Sequence, residues 1–135
     1  MSYIIDSDIL IYFLKSKPNV VEQFSKHSLS VLATTRINAA ELLFGANNSN
    51  NPQRSLMVHR SLLEELDVYE FGEAASEIYA SEKAWLQQQG NLIDDMDLMI
   101  GSICLAESKT LVTNNTKHFK RIRGLTLENW ALDAS

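Results

Sequence analysis

Apolar positions along this chain come in short runs separated by longer stretches with helical spacing. Tyr3-Ile4-Ile5 reads as a buried strand ending at Asp6, and Ile9 through Leu14 continue as an apolar helix, so Asp6 and Asp8 stand on a strand-to-helix turn. Pro18 opens a second short helix through Phe24, where a first-turn proline sacrifices no hydrogen bond. Leu29 to Ala33 is predicted as the second strand. Thr34 and Thr35 then offer caps to a helix from Arg36 to Ala46, with Ile37, Ala40 and Phe44 as its apolar stripe. A polar loop from Asn47 to Gln53 leads into a long helix carrying Leu56, Leu62, Leu63 and Leu66 and ending near Asp67, and Val68 to Phe71 alternates like a strand. Ala74, Ile78, Ala84 and Trp85 mark a helix over Glu73 to Gln89 closed by Gly90; Ile93, Ile100, Ile103 and Cys104 mark the next. Leu111-Val112-Thr113 is predicted as a strand, Asn114 to Phe119 as a loop, and Leu125 to Trp130 as a last strand or extended tail.

Strands alternating with helices predict an α/β fold in which helices cover both faces of a parallel sheet, a three-layer α/β/α arrangement with its functional crevice beyond the carboxyl ends of the strands. The 135 residues suit a single domain spanning 1–135, with 45% hydrophobic and 21% charged residues, ordinary proportions for a globular chain. Asp6 and Asp8 interrupt the apolar N-terminal run and no basic segment precedes it, which excludes a signal peptide or membrane span and makes the cytoplasm the default location. The single Cys104, inside an apolar helical stretch, reads as a small buried hydrophobe.

Candidate chemistry enters where acids break apolar faces. Asp6 follows two isoleucines at a strand end. Glu41 lies four residues after Ile37 and three before Phe44, and Asp97 lies four after Ile93 and three before Ile100, each on a helical stripe. Any one of these could be a cap or an ion-pair partner. Three together are costly to bury without a cation, and oxygen-only donors suit Mg2+ or Mn2+, ions that activate water against phosphodiesters. Asp8 reads as a cap of the first helix or an outer-shell acid, and Asp94 and Asp95 as acids opposing the dipole of the helix that carries Asp97.

The net charge of −5 excludes a generally basic nucleic-acid binder. Lys117, His118, Lys120, Arg121 and Arg123 nevertheless concentrate positive charge within seven positions, either as a phosphate-binding patch or as a solvated loop.

Ile4-Ile5-Asp6-Ser7-Asp8-Ile9-Leu10-Ile11-Tyr12, Asn38-Ala39-Ala40-Glu41-Leu42-Leu43-Phe44-Gly45-Ala46, Asp97-Leu98-Met99-Ile100-Gly101 and Leu111-Val112-Thr113-Asn114-Asn115-Thr116-Lys117-His118-Phe119 together resemble the PIN-domain toxins called VapC, as does the closing Arg121 to Trp130. The resemblance implies a PIN-like domain with a central four- to five-stranded parallel sheet, a Mg2+ or Mn2+ site, and endoribonuclease activity with transfer RNA as a candidate target. It implies a cognate VapB-type antitoxin, operator DNA bound only through the antitoxin complex, a homodimer and no membrane association. Carried over by position, Asp6, Glu41 and Asp97 are the metal and catalytic acids, and Ser7 fills the small hydroxyl position beside the first acid. Asn115 stands where many members carry a fourth acid. Ser7, Lys117, Lys120 and Arg121 are the candidate substrate contacts.

Two other readings remain. The Asp6-Ser7-Asp8 turn also resembles that of haloacid-dehalogenase-type phosphatases, with Asp6 as a covalent nucleophile; in that reading Leu10 departs from the motif and Glu41 has no role. A non-catalytic protein that binds an antitoxin or nucleic acid would have no use for three buried acids.

Overall fold

A computed structural model describes residues 2–132. The chain runs β1 (Tyr3–Ile5), α1 (Ser7–Leu14), α2 (Pro18–Ser25), a single 3-10 turn (Leu29–Val31), β2 (Leu32–Thr35), α3 (Arg36–Asn47), α4 (Pro52–Glu64) and β3 (Asp67–Tyr69). It continues through α5 (Glu73–Gln88), α6 (Asp95–Ala106), β4 (Thr110–Val112), α7 (Thr116–Phe119) and β5 (Leu127–Glu128). The five strands form one parallel sheet in the order β3-β2-β1-β4-β5. From the central β1 the chain builds outward through β2 and β3, then crosses to the other side for β4 and β5. The strand order therefore reverses between β1 and β4, the position at which open α/β sheets leave a crevice.

Because successive strand residues face opposite sides, each strand feeds two cores. Tyr3, Ile5, Leu32 and Val112 join Ile9, Leu10, Val20, Phe24, Leu42, Leu66 and Trp130 on one face. Ile4, Ala33 and Leu111 join Ala75, Leu86, Leu98, Ile100, Ile103, Cys104, Phe119 and Ile122 on the other. This is the expected three-layer architecture. Close packing fixes α6 most tightly, since Leu98 and every residue from Ile100 to Cys104 are buried, and a Cβ at Gly101 would fall 2.5 Å from Ile122 Cδ1. The helix that carries Asp97 is thus held rigidly against the sheet. No described helix is long and apolar enough to cross a membrane.

Some local readings shift. The second strand begins three residues later than Leu29, because the Ser28 hydroxyl accepts from Ser30 N at 3.3 Å and folds Leu29 to Val31 into the 3-10 turn, leaving Leu29 exposed. The buried stripe of α3 is Ala39, Leu42 and Ala46 with Asn38, whereas Ala40 is exposed and Phe44 is 70% exposed. Apolar residues stand on several sides of α3, Ile37, Ala39, Ala40, Leu42, Leu43, Phe44 and Ala46, so periodicity alone could not choose the face. On α5 the buried positions are Ala75, Glu82 and Leu86, while Ala74 and Ala84 face solvent. Gly90 does close α5, at φ +65°, where a side chain would be strained. The last strand contracts to Leu127–Glu128.

Glu82 is a carboxylate on an apolar stripe whose partner is a cation. Arg123 Nε donates to Glu82 Oε1 at 2.8 Å, Arg123 N donates to Oε2 at 3.2 Å, and the guanidinium lies 4.3 Å from the Trp85 ring centre. The Glu82 side chain is 9% exposed and that of Arg123 is 49% exposed. Removing the arginine strands a buried charge, whereas removing the glutamate leaves the arginine wet. Arg123→Ala is therefore expected to destabilise at least as much as Glu82→Ala, each by about 1–3 kcal/mol. Urea unfolding of the two single variants and the double variant checks this, with the double variant losing less than the sum of the singles.

Candidate active site

Asp6 leaves β1 in an extended conformation and caps α1. Its Oδ1 accepts from Ser7 N at 2.9 Å and from Asn38 Nδ2 at 2.9 Å, and its Oδ2 accepts from Thr113 Oγ1 at 2.6 Å. The carboxylate is thereby tied to the starts of α1 and α3 and the end of β4. Asp6, not Asp8, is the cap of the first helix, because the chain turns one residue after the strand and only the Asp6 side chain reaches a free first-turn N–H from the cap position.

Asn38 is aimed by the cap of its own helix. The Thr35 hydroxyl accepts from Asn38 N at 3.1 Å and donates to Asn38 Oδ1 at 2.8 Å, which turns the amide nitrogen toward the acids. Asn38 Nδ2 also reaches Ser7 Oγ at 2.9 Å, and Ser7 Oγ donates to Glu41 Oε1 at 2.7 Å. Asp97 lies in the first turn of α6, whose cap Asp94 accepts from Met96 N at 3.1 Å and from Asp97 N at 3.4 Å. Asn115 reaches Asp97 Oδ2 with its amide nitrogen at 3.5 Å, and that nitrogen lies 3.2 Å from His118 Nδ1. The Asn115 backbone N–H donates to Thr113 Oγ1 at 2.9 Å, so one threonine joins Asp6 to the asparagine loop.

Asp6, Glu41, Asp97 and Asn115 thus meet at the carboxyl edge of the sheet, beside the β1/β4 switch point. Asp8 joins them, held by Ile9 N at 2.7 Å and by Asn114 N at 3.1 Å. Burial raises the pKa of Asp6 even against its three donors, and burial raises that of Glu41, reinforced by Asp6 and Asp94. Asp8 is pushed up to about 6 by burial and then by Asp6. Asp97 is pushed up to about 7, first by burial and then by Asp6, Asp94, Glu41 and Asp8. Burial and neighbouring carboxylates act together on these acids, and of them Asp97 is pushed up to about neutral pH.

Asp95 is drawn out of this group by Lys83 at 2.9 Å and by the Tyr79 hydroxyl, which donates at 2.8 Å. Among the described residues no three His, Cys, Asp or Glu side chains stand ready to grip a metal as they are; Glu41 is turned onto Ser7. The donors present, the carboxylate oxygens of a mutually repelling cluster, are those a hard divalent ion prefers. Asp6 is a poor covalent nucleophile, being 6% exposed with both oxygens engaged. Burial pushes the Cys104 thiol up, so it stays protonated.

The basic segment divides. Lys117, His118 and Lys120 are exposed on and after α7, while Arg121 Nη1 donates to Leu92 O at 3.2 Å and Arg123 is committed to Glu82. Sequence reasoning gave no role to Asn38 and Thr113, the two side chains that hold Asp6. The signal for Asn38 was present, three residues beyond the capping threonine, but its partner lies 32 positions away and that of Thr113 lies 107 away.

A family description of the PIN domain matches residues 3–125. The chain is 34% identical over 134 residues to ribonuclease VapC2 of Rickettsia felis, covering 96% of this chain and 98% of that protein. It is 29% identical over 131 residues to the tRNA(fMet)-specific endonuclease VapC of Shigella flexneri, covering 97% of this chain and 99% of that protein. Among solved structures, a chain of the DNA-bound VapBC complex of Salmonella typhimurium superposes with a TM-score of 0.89 at 28% identity, over 96% of this chain and 98% of that one. The acids at the switch point, the parallel sheet and these end-to-end matches agree: the chain belongs to the PIN-domain family and, within it, to the VapC proteins.

Proposed function

We propose that this protein is a metal-dependent endoribonuclease, the toxin of a toxin–antitoxin pair. The observation that carries the reading is the convergence of Asp6, Glu41 and Asp97, with Asn115 beside them, at one crevice where burial raises all three acids and neighbouring carboxylates raise Glu41 and Asp97 further. The named activities of the VapC relatives, ribonuclease and tRNA-specific endonuclease, support RNA as substrate and transfer RNA as the first target to try.

Asp6, Glu41 and Asp97 would hold Mg2+ or Mn2+, with Asn115 beside them positioning Asp97 through its amide nitrogen. Bound there, the ion supplies positive charge that lowers the pKa of water and stabilises the leaving oxygen of a phosphodiester. Asp6 is the anchor, since its three donors fix its position. Asp97 takes the proton from the attacking water as the new O–P bond forms and the bond from phosphorus to the 3′ oxygen breaks. The departing oxygen is protonated from solvent, leaving 5′-phosphate and 3′-hydroxyl ends. Ser7 holds Glu41 in place through its 2.7 Å hydrogen bond. Lys117 and Lys120 lie exposed to meet RNA phosphates, and Arg121 does so only on leaving the Leu92 carbonyl.

The VapBC complexes bound to DNA, one of them to a promoter fragment, support a VapB-type antitoxin as partner and operator DNA reached through that complex; the homodimer is carried over from the family resemblance alone. An antitoxin arginine paired with the acids would replace the cation. An apolar groove formed by Phe13, Val21, Phe24 and Leu29, with Val21 and Leu29 exposed, suits the antitoxin's apolar side chains.

Antitoxin-free protein incubated with total RNA and Mg2+ or Mn2+ should make discrete cuts with 5′-phosphate ends that EDTA abolishes. Asp6→Asn and Asp97→Asn should each lower the cleavage rate by about 10²–10⁴-fold while remaining folded by circular dichroism. Cuts ending in 2′,3′-cyclic phosphate would overturn hydrolysis by water.

The same acids give the metal-free fold an unusual pH response. A carboxylate raised on folding, as Asp97 is from 3.8 to about 7, destabilises the fold when ionised. That destabilisation is full above the folded value and fades as pH falls through it. The Tm of metal-free protein should therefore rise as pH is lowered from about 8 to about 5.5. Asp97→Asn should raise the Tm at the alkaline end and flatten the response, and saturating Mg2+ should do the same for wild type. A wild-type Tm that falls monotonically with acidification over this window would refute the shared-field picture.

A further inference from the structure

A directed chain of hydrogen bonds runs from the C-terminal segment to α1. Ala131 N donates to Asn129 Oδ1 at 2.9 Å, Asn129 Nδ2 donates to Asn114 Oδ1 at 3.1 Å, and Asn114 Nδ2 donates to the Tyr12 oxygen at 3.4 Å. The backbone N–H at its start can only donate, which fixes the orientation of both amides and makes Tyr12 an acceptor at its end. The Tyr12 hydroxyl proton is then free to donate outward, and among the described residues no hydrogen bond engages it. Lys17 is brought to the same place: Ser16 adopts φ +58°, Lys17 N donates to Tyr12 O at 3.0 Å, and Lys17 Nζ lies 4.2 Å from the Tyr12 ring centre. A non-glycine residue in that left-handed conformation is uncommon, and here it folds an exposed cation back over α1.

The pair stands one helical turn, about 5.4 Å, along α1 from Asp8, and the Asn114 N–H bonded to Asp8 Oδ2 ties it to the acid cluster. Beyond it opens a pocket of about 400 Å³ lined by Lys17, Pro18, Asn19 and Ala131. A hydroxyl donor and an ammonium presented together at the rim of an acidic crevice match a phosphate oxygen, since charge-assisted hydrogen bonds to phosphate are the strong ones. Lys117 and Lys120 belong to a different element, α7 and its end, so the pair supplies a cation from the α1 side of the chain as well.

We propose that Tyr12 and Lys17 form a phosphate-binding subsite that grips a backbone phosphate flanking the scissile one in RNA. The inference rests on the ribonuclease reading. Asn114 is its positioning residue, holding the Tyr12 hydroxyl so that its proton faces the strand.

The test uses a short RNA spanning a mapped cut site and a set of versions each carrying one neutral methylphosphonate. Tyr12→Phe keeps the ring under Lys17 and removes only the donor; Lys17→Ala removes the charge. Each should raise KM by about 3- to 10-fold with kcat nearly unchanged, and Lys17→Ala should reduce the salt dependence of binding by about one phosphate contact. One methylphosphonate position should cause a similar loss in wild type and none further in the double variant. Cleaving wild type with an unaffected Tyr12→Phe, or losses that add at every methylphosphonate position, overturns the subsite alone. Weakened antitoxin binding with RNA kinetics untouched assigns the pair to the inhibitor and also overturns it. Wild type that leaves RNA intact with either metal removes the ribonuclease reading and the subsite together.

Discussion

The Asp6 carboxylate is the point on which the site geometry depends. It sits nearly inaccessible at the end of the central strand, and its three donors come from three different elements. Hydrogen bonds to a charged group contribute about 1.5–3 kcal/mol each, yet burial still raises its pKa, so the donors offset desolvation without cancelling it. Each donor is itself held: Asn38 by the Thr35 cap, Thr113 by its place at the end of β4. A small shift of β1 against β2 or β4 would break several of these bonds at once. Registry in the sheet and position of the acid are therefore one constraint.

The same geometry makes the crevice electrostatically incomplete. Asp97 and Asp8 are raised first by burial and then by the nearby charges of Asp6 and Glu41. A site made only for stability would pair these charges, as Glu82 is paired with Arg123. The repulsion is sustained by the apolar cores on either side of the sheet, and the rigid burial of α6 keeps Asp97 from relaxing into solvent. Stability is lost locally, and the acids are left with a demand for positive charge that no side chain among the described residues meets.

Much of this was legible in the residues. Alternating strand and helix patterns implied the parallel sheet, and three acids interrupting apolar stretches marked the crevice. The reasoning for Glu41 nevertheless ran through a stripe that the fold does not bury: Phe44 faces solvent, and Glu41 reaches the site from the half-buried edge of α3. Glu82 shows the converse. It occupies a truly buried stripe with the same appearance as a functional acid, and only the distant Arg123 distinguishes it. Periodicity records where a carboxylate points along its own helix, whereas its role depends on what another element brings opposite. For the same reason Asn38 and Thr113 could not be assigned, since an uncharged polar side chain acquires meaning only from a partner chosen by tertiary structure.

Charge was legible as composition but not as geometry. Five basic residues within seven positions suggested one patch, but the fold commits Arg123 to Glu82 and Arg121 to the Leu92 carbonyl, leaving Lys117, Lys120 and His118 exposed. Meanwhile Lys17, isolated in sequence from other functional residues, is folded over Tyr12 near the acids. A chain with net charge −5 that acts on a polyanion gains little from long-range attraction, so its hold on RNA must come from a few cations placed at phosphate positions around the crevice. Few contacts also mean weak nonspecific binding, which favours release after each cut. Discrimination among RNAs then falls to the shape of the strand that can reach both flanks of the acids at once.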